Sequence, residues 1–208
     1  MRIVAISDTH MQHEGIDVPD GDVLIHAGDF CGRGTLADVE KFNEFMERQP
    51  HRHKIAIAGN HDFCFEQTPD LAREQLTACH YLQDEALELD GFRFYGSPWQ
   101  PEFMDWAFNL PRGGELRAKW ELIPVATDVL ITHTPPAGIG DFTLSGEHVG
   151  CSDLLDALER IRPALHVFGH IHEGAGVAAA DGTTFLNACI CDAAYRAVNA
   201  PMVHDLKR

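Results

Sequence analysis

Five short polar clusters, each placed directly after an apolar run typical of a β-strand, constrain the fold of this chain more than any other feature. They are Asp8-Thr9-His10, Gly28-Asp29, Gly59-Asn60-His61-Asp62, Thr132-His133 and Gly169-His170-Ile171-His172. In an open α/β sheet the carboxyl ends of the strands open onto the crevice where ligands bind, so residues far apart in sequence converge there. The i, i+2 spacing of Asp8 and His10, and of His170 and His172, places each pair on one side of an extended segment. The sequence therefore predicts one shared site.

The patterning between the clusters predicts an α/β fold. Apolar, often β-branched runs predict eight strands: Ile3 to Ile6, Val23 to Ala27, Lys54 to Ala58, Phe92 to Tyr95, Val129 to Thr132, Leu165 to Phe168, Thr183 to Leu186 and Met202 to Val203. Helical spacing predicts three helices: Thr35 to Gln49, with Thr35 as the cap and Asp38 completing a capping box; Ser152 toward Arg162, with Ser152 as the cap; and Leu71 to Cys79.

The order of these elements favours two mixed β-sheets packed as a sandwich with flanking helices. Strand and helix alternate at the start, whereas the strands after Ala164 have few helical residues between them, which indicates added antiparallel pairing. Periodicity alone does not fix this architecture. We find no internal repeat or linker, so residues 1–208 are expected to form a single domain.

Charge and cysteine usage limit the partners and the compartment. The chain has 16 Lys and Arg against 32 Asp and Glu, a formal net charge of -16, which argues against nucleic-acid polymers and anionic membranes. The first residues become polar too early for a signal peptide, and no apolar run approaches the roughly 20 residues of a membrane span, so we expect a cytoplasmic protein. The six cysteines lack CxxC spacing and are expected to be free thiols. Cys189 and Cys191 lie on one side of an extended segment, which leaves a soft-metal or redox role as the minor alternative.

The clusters supply a metal-binding donor set. Without His61 it comprises two carboxylates, one amide oxygen and four imidazoles, from Asp8, Asp29, Asn60, His10, His133, His170 and His172. This mixture suits Mn²⁺, Fe or Zn²⁺ better than an all-oxygen calcium site. One ion would be over-supplied, whereas two ions bridged by a carboxylate would use every donor. The charge of two divalent cations would exceed that of the two carboxylates and leave a net positive charge in the site, which suits an anionic phosphoester.

The clusters match the pattern D-x-H, GD, GNH[DE], H and GHxH, and from Asp8 to His172 the chain resembles the calcineurin-like metallophosphoesterase superfamily. The resemblance implies an αββα sandwich and two divalent metal ions, with Mn²⁺ expected and Fe or Zn²⁺ as alternatives. One ion would be held by Asp8, His10, Asp29 and His172, and the other by Asp29, Asn60, His133 and His170, with Asp29 bridging. A metal-bridging hydroxide would attack phosphorus in line. His61 would stabilise the transition state or protonate the leaving alkoxide, and Asp62 would orient His61.

One departure from the pattern concerns the second cluster, which protein phosphatases of the superfamily extend to GDxxDRG. Here the segment is Gly28-Asp29-Phe30-Cys31-Gly32-Arg33-Gly34, so Gly32 stands where the second Asp is expected. The acid that would support the catalytic histidine is missing, which argues against a protein phosphatase. Arg33 remains a candidate phosphate contact.

The segment from Gly96 to Asn109 contains two of the three tryptophans, Trp99 and Trp106. Either could stack a nucleobase at the rim of the site, for about 1–3 kcal/mol per base, or could instead pack into the core. With His133-Thr134-Pro135-Pro136 and the GHxH block, this segment resembles the fetal-brain metallophosphodiesterases and their bacterial relatives. That resemblance implies phosphodiester substrates, with 2′,3′-cyclic nucleotides among them. Some animal members carry Gly at one histidine of GHxH and bind a nucleotide instead, but here both His170 and His172 are present.

We therefore expect a dinuclear metal-dependent phosphodiesterase that acts on small nucleotide-like diesters. Two alternatives stay open: a broad phosphomonoesterase, for which Arg33 is the only extra cation we can nominate, and a non-catalytic scaffold that binds a nucleotide or a protein. The sequence has no coiled coil or extended apolar face that would force assembly. A homodimer would have to use loop or sheet-edge surface.

Overall fold

Two large mixed sheets form the centre of the computed structural model, which describes residues 1–207. The strands in chain order are β1 (Arg2–Ile6), β2 (Val23–His26), β3 (His53–Ala56), β4 (His80–Tyr81), β5 (Glu85–Leu89), β6 (Phe92–Ser97), β7 (Gln100–Pro101), β8 (Asn109–Leu110), β9 (Val129–Thr132), β10 (Leu165–Phe168), β11 (Gly176–Ala180), β12 (Thr183–Asn187) and β13 (Met202–Asp205). The first sheet has the order β13-β1-β2-β3-β4 and the second the order β11-β12-β10-β9-β6-β5, while β7 and β8 pair separately. Within each large sheet the central strands are parallel.

Helices cover the outer faces of both sheets. In chain order they are α1 (Leu36–Arg48), α2 (Cys64–Gln67), α3 (Pro69–Gln75), α4 (Gly114–Glu121) and α5 (Ser152–Ile161), and single 3₁₀ turns occupy His13–Gly15 and His172–Gly174. Within residues 1–207, none of these helices has the length and apolar character needed to cross a bilayer.

The alternation of side chains along β1 explains the layers. Ile3 and Ala5 pack between the two sheets, where they meet Val129 and Val167 of the second sheet. Val4 and Ile6 point the other way and join the cluster that includes the buried face of α1. Since both faces of these parallel strands are covered, their sequences read as continuous apolar runs. A third cluster packs α4 and α5 on the outer face of the second sheet, which completes the expected αββα sandwich.

The eight expected strands all form, and the Thr35 capping box is present at the start of α1. Two helix predictions need correction. The helix expected at Leu71 to Cys79 is Pro69–Gln75, because proline suits the first turn and the chain beyond the helix bonds instead to the Asn43 side chain. The cap of α5 is Cys151 rather than Ser152, since the Cys151 sulfur accepts the Leu154 amide at 3.4 Å.

The structure contains elements that the sequence patterning did not predict, chiefly α4, β5 and β11. Helix α4 buries only Leu116 and Trp120, one turn apart, which is too short a stripe to stand out. All six cysteines are free thiols, as expected.

Burial of His166 in β10 makes the fold sensitive to acid. Its Nε2–H donates to Thr132 Oγ1 at 2.8 Å, because the Thr132 hydroxyl proton is itself donated to the Thr134 carbonyl oxygen. Burial lowers the pKa of His166 from 6.5 to about 3. The contribution of this neutral ring to stability is complete above pH 6.5 and is lost as the pH falls toward 3, because only the unfolded chain gains the proton in that window.

We therefore expect His166→Gln to make the free energy of unfolding less steeply dependent on pH between about pH 6.5 and 4.5, by up to about 1.4 kcal/mol per pH unit. Urea unfolding in the presence of EDTA measures this slope without a contribution from bound metal. The matched control is His80→Gln at an exposed position, which should keep the wild-type slope. An unchanged slope in His166→Gln would contradict the prediction.

Candidate metal centre

The five polar clusters meet where β1, β2 and β3 of one sheet end beside β9 and β10 of the other. The His170 amide donates to Asp8 Oδ2 at 2.9 Å, which joins the end of β10 to the end of β1. His133, after β9, reaches Asn60, after β3, with 2.9 Å between Nε2 and Oδ1. The structure thus brings together donors that the sequence separates by as many as 164 positions.

The first group of donors consists of Asp8, His10 and His172. His172 Nε2 lies 3.2 Å from Asp8 Oδ1 and 3.1 Å from His10 Nε2. His10 Nε2 lies 3.9 Å from the same Asp8 oxygen. Metal–nitrogen bonds of about 2.1 Å place neighbouring ligand atoms roughly 3 Å apart, so the spacing of these three atoms fits one shared cation.

The second group consists of Asn60, His133 and His170. His133 is fully buried, and its Nε2 faces the Asn60 side-chain oxygen. The His170 ring lies edge-on to the His133 ring, with centroids 5.0 Å apart. His133 also lies close enough to Asp8 and Asp29 for the three side chains to share a cation.

Asp29 lies between the two groups. Its Oδ2 is 3.9 Å from His10 Nε2 and 3.4 Å from His133 Nε2, while its Oδ1 accepts the His61 amide at 2.7 Å. The geometry therefore leaves a single oxygen, Oδ2, free to face both groups. That is the position a bridging ligand needs.

Backbone carbonyl groups orient two of the imidazoles. His133 Nδ1 bonds the Ala27 carbonyl oxygen at 3.0 Å, and His172 Nδ1 bonds the Asp192 carbonyl oxygen at 2.8 Å. A carbonyl oxygen only accepts, so the Nδ1 atoms carry the protons and the Nε2 atoms are directed into the site. Metal-binding histidines are commonly held in this way.

Close backbone approach explains why a glycine precedes three of the donors. A Cβ built on Gly169 would lie 1.9 Å from Asp8 Oδ2, and one built on Gly59 would lie 2.3 Å from Asp29 Oδ1. A Cβ on Gly28 would lie 2.6 Å from His133 Nδ1, and Gly28 also has a positive φ of 100°. Side chains at these positions would displace the donors themselves.

Four of the seven donors have left-handed backbone conformations. Their φ values are 51° at Asp8, 41° at His10, 58° at Asp29 and 69° at His170. Such conformations cost on the order of 1–3 kcal/mol each for residues other than glycine and cluster at functional sites. Hydrogen bonds from the amides of Asp8, His10 and His170 hold three of these turns in place.

Charge in the site is balanced between the buried carboxylates and the imidazoles. Burial disfavours ionisation of Asp8 and Asp29, but the neighbouring imidazoles outweigh burial and hold the pKa of both carboxyls well below the usual range. Burial also disfavours protonation of His133 and His172, but Asp29 and Asp8 respectively outweigh it and raise the pKa of each ring to about 9. A site that attracts protons this strongly, with mixed oxygen and nitrogen donors, fits divalent cations.

His61 lies beside the donors with its ring held in place. Nδ1 bonds the Gly32 carbonyl oxygen at 3.0 Å, and the ring stacks on Trp106 with centroids 4.3 Å apart. Its edge contacts the His10 ring at 4.6 Å. His61 is also close enough to His10 and Asp29 to form a third group of possible metal donors.

The expected role of Asp62 in orienting His61 is wrong. The Asp62 carboxylate is fully buried and accepts hydrogen bonds at 2.7 to 2.8 Å from three backbone amides, those of Asp29, Cys31 and Gly59. It therefore clamps the loop after β2 to the loop after β3, and the Gly32 carbonyl orients His61 instead. Burial and the charge of Asp29 raise the pKa of Asp62 to about 7.

The two tryptophans occupy different environments. Trp106 lines both cavities at the site, one of about 210 Å³ over the donors and an adjoining one of about 450 Å³. Trp99 packs away from these cavities: its Nε1 donates to Asp84 at 2.8 Å, and Lys119 Nζ lies 4.1 Å from its ring centre. The expectation that Trp99 contacts substrate is therefore wrong, because tertiary contacts turn its ring into the fold.

Arg33 and Tyr195 also line the larger cavity. Arg33 is exposed, as a candidate phosphate contact must be. Sequence reasoning missed Tyr195, whose ring lies edge-on to His10 with centroids 4.7 Å apart. An ion pair between Asp192 and Arg196 closes the loop that carries Tyr195. The i, i+4 spacing of these opposite charges was a sequence signal for an ordered loop at this position.

Comparisons with known proteins agree with this geometry. A family model for calcineurin-like phosphoesterases matches residues 1–174. The chain is 47% identical over 230 residues to metallophosphoesterase domain-containing protein 1 of Homo sapiens, covering 99% of this chain and 71% of that protein. It is 41% identical over 228 residues to a UPF0046 protein of Caenorhabditis elegans, covering 99% of this chain and 81% of that protein. The solved structure of TT1561 from Thermus thermophilus shares the fold, with a TM-score of 0.61 at 13% identity, covering 89% of this chain and 87% of that chain.

We expect Gly169→Ala to lower metal content to well below the wild-type value, because the new methyl group would occupy the space of Asp8 Oδ2. Inductively coupled plasma mass spectrometry after dialysis against Mn²⁺ measures it. Gly146→Ala, at an exposed glycine with open space around it but a positive φ of 84°, controls for backbone strain alone. Equal metal content in the two variants would contradict the packing argument.

The position of Asp29 between the two groups predicts a distinct effect from that of His61. Asp29→Asn should lower the binding of both metal equivalents and lower turnover by about tenfold or more, since it removes the shared charge. His61→Ala should lower turnover by a factor of about 100 or more while both metals are retained. Metal analysis and steady-state kinetics on the same preparations test the pair. Normal metal stoichiometry in Asp29→Asn would overturn the bridging assignment.

Proposed function

This chain belongs to the calcineurin-like phosphoesterase family of phosphoester hydrolases, and we propose that it is a phosphodiesterase that uses two divalent cations to hydrolyse small nucleotide-like diesters. The seven donors in two groups around Asp29 support the use of two cations. Mn²⁺ is the metal we propose, because the carboxylate and amide oxygens of the set suit it, with Fe or Zn²⁺ as the alternatives that the imidazoles favour.

The small number of basic side chains around the two cavities supports a preference for diester substrates. Of the described residues, Arg33 is the only lysine or arginine that lines either cavity, and the exposed Glu173 carboxylate lines the first one. A phosphomonoester is largely a dianion at neutral pH, whereas a diester carries one negative charge. A neighbouring cavity that shares His172 with the first adds Arg196, but this side chain is paired with Asp192. Beyond two bound metals the site would therefore offer little further positive charge, which suits the less charged substrate.

The bound cations would supply a hydroxide nucleophile and neutralise charge on the phosphoryl oxygens. The chain's own residues provide the rest of the chemistry. Because the Nδ1–H of His61 donates to the Gly32 carbonyl oxygen, Nε2 is the nitrogen left to carry a proton to the substrate, and His61 lines both cavities. His61 is thereby suited to donate that proton to the leaving oxygen.

The aromatic wall supports a nucleotide-like substrate. Trp106 and Tyr195 line both cavities, and Phe63 lines the larger one. A base–aromatic contact is worth about 1–3 kcal/mol and tolerates different bases. Arg33 at the same cavity would contact the phosphate or a polar edge of the leaving group.

We propose small molecules, rather than nucleic-acid polymers or membranes, as partners, since the net charge of -16 disfavours polyanions. A cytoplasmic location agrees with the free thiols.

The deciding experiment compares turnover of 2′,3′-cyclic AMP, 3′,5′-cyclic AMP, 5′-AMP and an aryl diester by protein reconstituted with Mn²⁺ after chelation. We expect metal-dependent turnover that favours the diesters. Preference for 5′-AMP would identify a phosphomonoesterase. Two bound metals without turnover of any of the four compounds would count against the phosphodiesterase and favour a binding role.

The different environments of the two tryptophans predict different kinetics. Trp106→Ala should raise KM for 2′,3′-cyclic AMP by about five- to 100-fold, and should raise KM much less for a base-free cyclic alkyl phosphodiester, because only the nucleotide loses a stacking contact. Trp99→Ala is the matched control and should leave both KM values within about twofold of wild type. Equal changes for both substrates in Trp106→Ala would indicate that this ring acts only by packing on His61.

A further inference from the structure

One carboxylate oxygen of Asp8, Oδ2, accepts three hydrogen bonds. Asp8 Oδ2 lies 2.6 Å from Ser7 Oγ, 2.9 Å from the His170 amide nitrogen and 3.2 Å from Cys189 Sγ. Its other oxygen, Oδ1, faces His172 and His10. The two oxygens of this carboxylate therefore have separate tasks.

The backbone fixes Cys189 against Asp8. Cys189 pairs with Ser7 in a parallel bridge between the end of the second sheet and the end of the first. Its amide donates to Asn187 Oδ1 at 3.3 Å, and its carbonyl oxygen accepts from Asn199 Nδ2 at 3.0 Å. The residue is 1% exposed, so its side chain has no access to solvent or to large reagents.

The thiol is placed to donate rather than to coordinate. An ionised carboxylate accepts hydrogen bonds but cannot donate them, so the proton in the contact between Cys189 and Asp8 comes from sulfur. Cys189 Sγ also lies close enough to Asp8 and His172 to share a cation with them, but its hydrogen bond is to Asp8 Oδ2, whereas His172 faces Oδ1. By donating this hydrogen bond, the thiol stabilises the negative charge on Asp8 Oδ2.

We propose that Cys189 is a positioning residue that, together with Ser7, saturates Asp8 Oδ2 and so restricts Asp8 to binding its metal through Oδ1 alone. Without the Cys189 thiol, Oδ2 keeps the Ser7 hydroxyl and the His170 amide as donors, and the carboxylate either tilts toward the cation or leaves one acceptor site of Oδ2 unfilled. Both outcomes weaken the geometry set by His10 and His172. Groups that hold metal ligands in this way are typically worth about 10–100-fold in affinity. This inference rests on the proposed metal-dependent function.

The test is a titration of the two metal equivalents, by competition with a chelator, in four proteins. Cys189→Ala should raise the dissociation constant of at least one equivalent about tenfold or more, because it loosens the hold on a carboxylate that lies within reach of His172 and His133. Cys189→Ser keeps a donor and should stay within about threefold of the wild type. The matched control is Cys191→Ala, an equally buried thiol of the same segment that donates to the Thr9 carbonyl oxygen at 3.6 Å and should also stay within about threefold.

A second readout separates donation from coordination. Protein loaded with Co²⁺ should lack the intense near-ultraviolet band of a cobalt–thiolate bond, and a band that disappears in Cys189→Ser would overturn the proposal by making sulfur a ligand. Unchanged affinity in Cys189→Ala would overturn it as well. A wild-type protein that binds no metal would instead refute the proposed function, so the two failures are distinguishable. Urea unfolding in EDTA shows whether Cys189→Ala is folded, and rescue by serine separates positioning from a general loss of packing.

Discussion

Two carboxylates, Asp8 and Asp29, lie almost fully buried where the two sheets meet, and the rest of the site depends on neutralising them. Removing an unpaired charge from water costs several kcal/mol, so the surrounding groups must offset that cost. Protonated His133 and His172 do so in the absence of metal, since the carboxylates raise the pKa of both rings to about 9. His133 and His172 would release these protons to hold a divalent cation, whose charge would then neutralise the carboxylates. The affinity of the site for metal therefore has the same origin as its affinity for protons.

The backbone of the site is built for placement of donors rather than for its own stability. Left-handed turns at Asp8 and Asp29, and glycines with no room for a methyl group, lie directly against the donors. Asp62 compensates part of this cost, because its buried carboxylate holds the loop after β2 and the loop after β3 through three amides. Its effect on catalysis is thus indirect: it positions Asp29 and Asn60 and does not touch the His61 ring.

The sequence predicted that the candidate metal donors converge, because their placement follows from local rules. A residue directly after a buried parallel strand lies at the ligand-binding edge of the sheet, whichever loops surround it. The roles of Asp62, Trp99 and Tyr195 did not follow, because each depends on contacts made by distant segments. Trp99 is turned inward by Asp84 and Lys119, and no periodicity in its segment signals those contacts. Helix α4 escaped prediction for a related reason, since two buried residues make too short a stripe.

The metal donors and the cavity walls come from different kinds of structure, and this division has a consequence for specificity. The donors lie at strand ends, whereas Arg33, Trp106 and Tyr195 lie on loops, so the walls can change without altering the donor set. The loop that carries Trp106 is, however, tied to a donor, since the Ala107 amide donates to the Asn60 carbonyl oxygen at 3.3 Å. The loop that carries Tyr195 is tied to another, since its Asp192 carbonyl oxygen accepts from His172 Nδ1 at 2.8 Å. A change that moves either loop would alter both the aromatic wall of the cavity and the position of a candidate metal donor. Under the proposed function, substrate preference and metal affinity would therefore be coupled on both sides of the site.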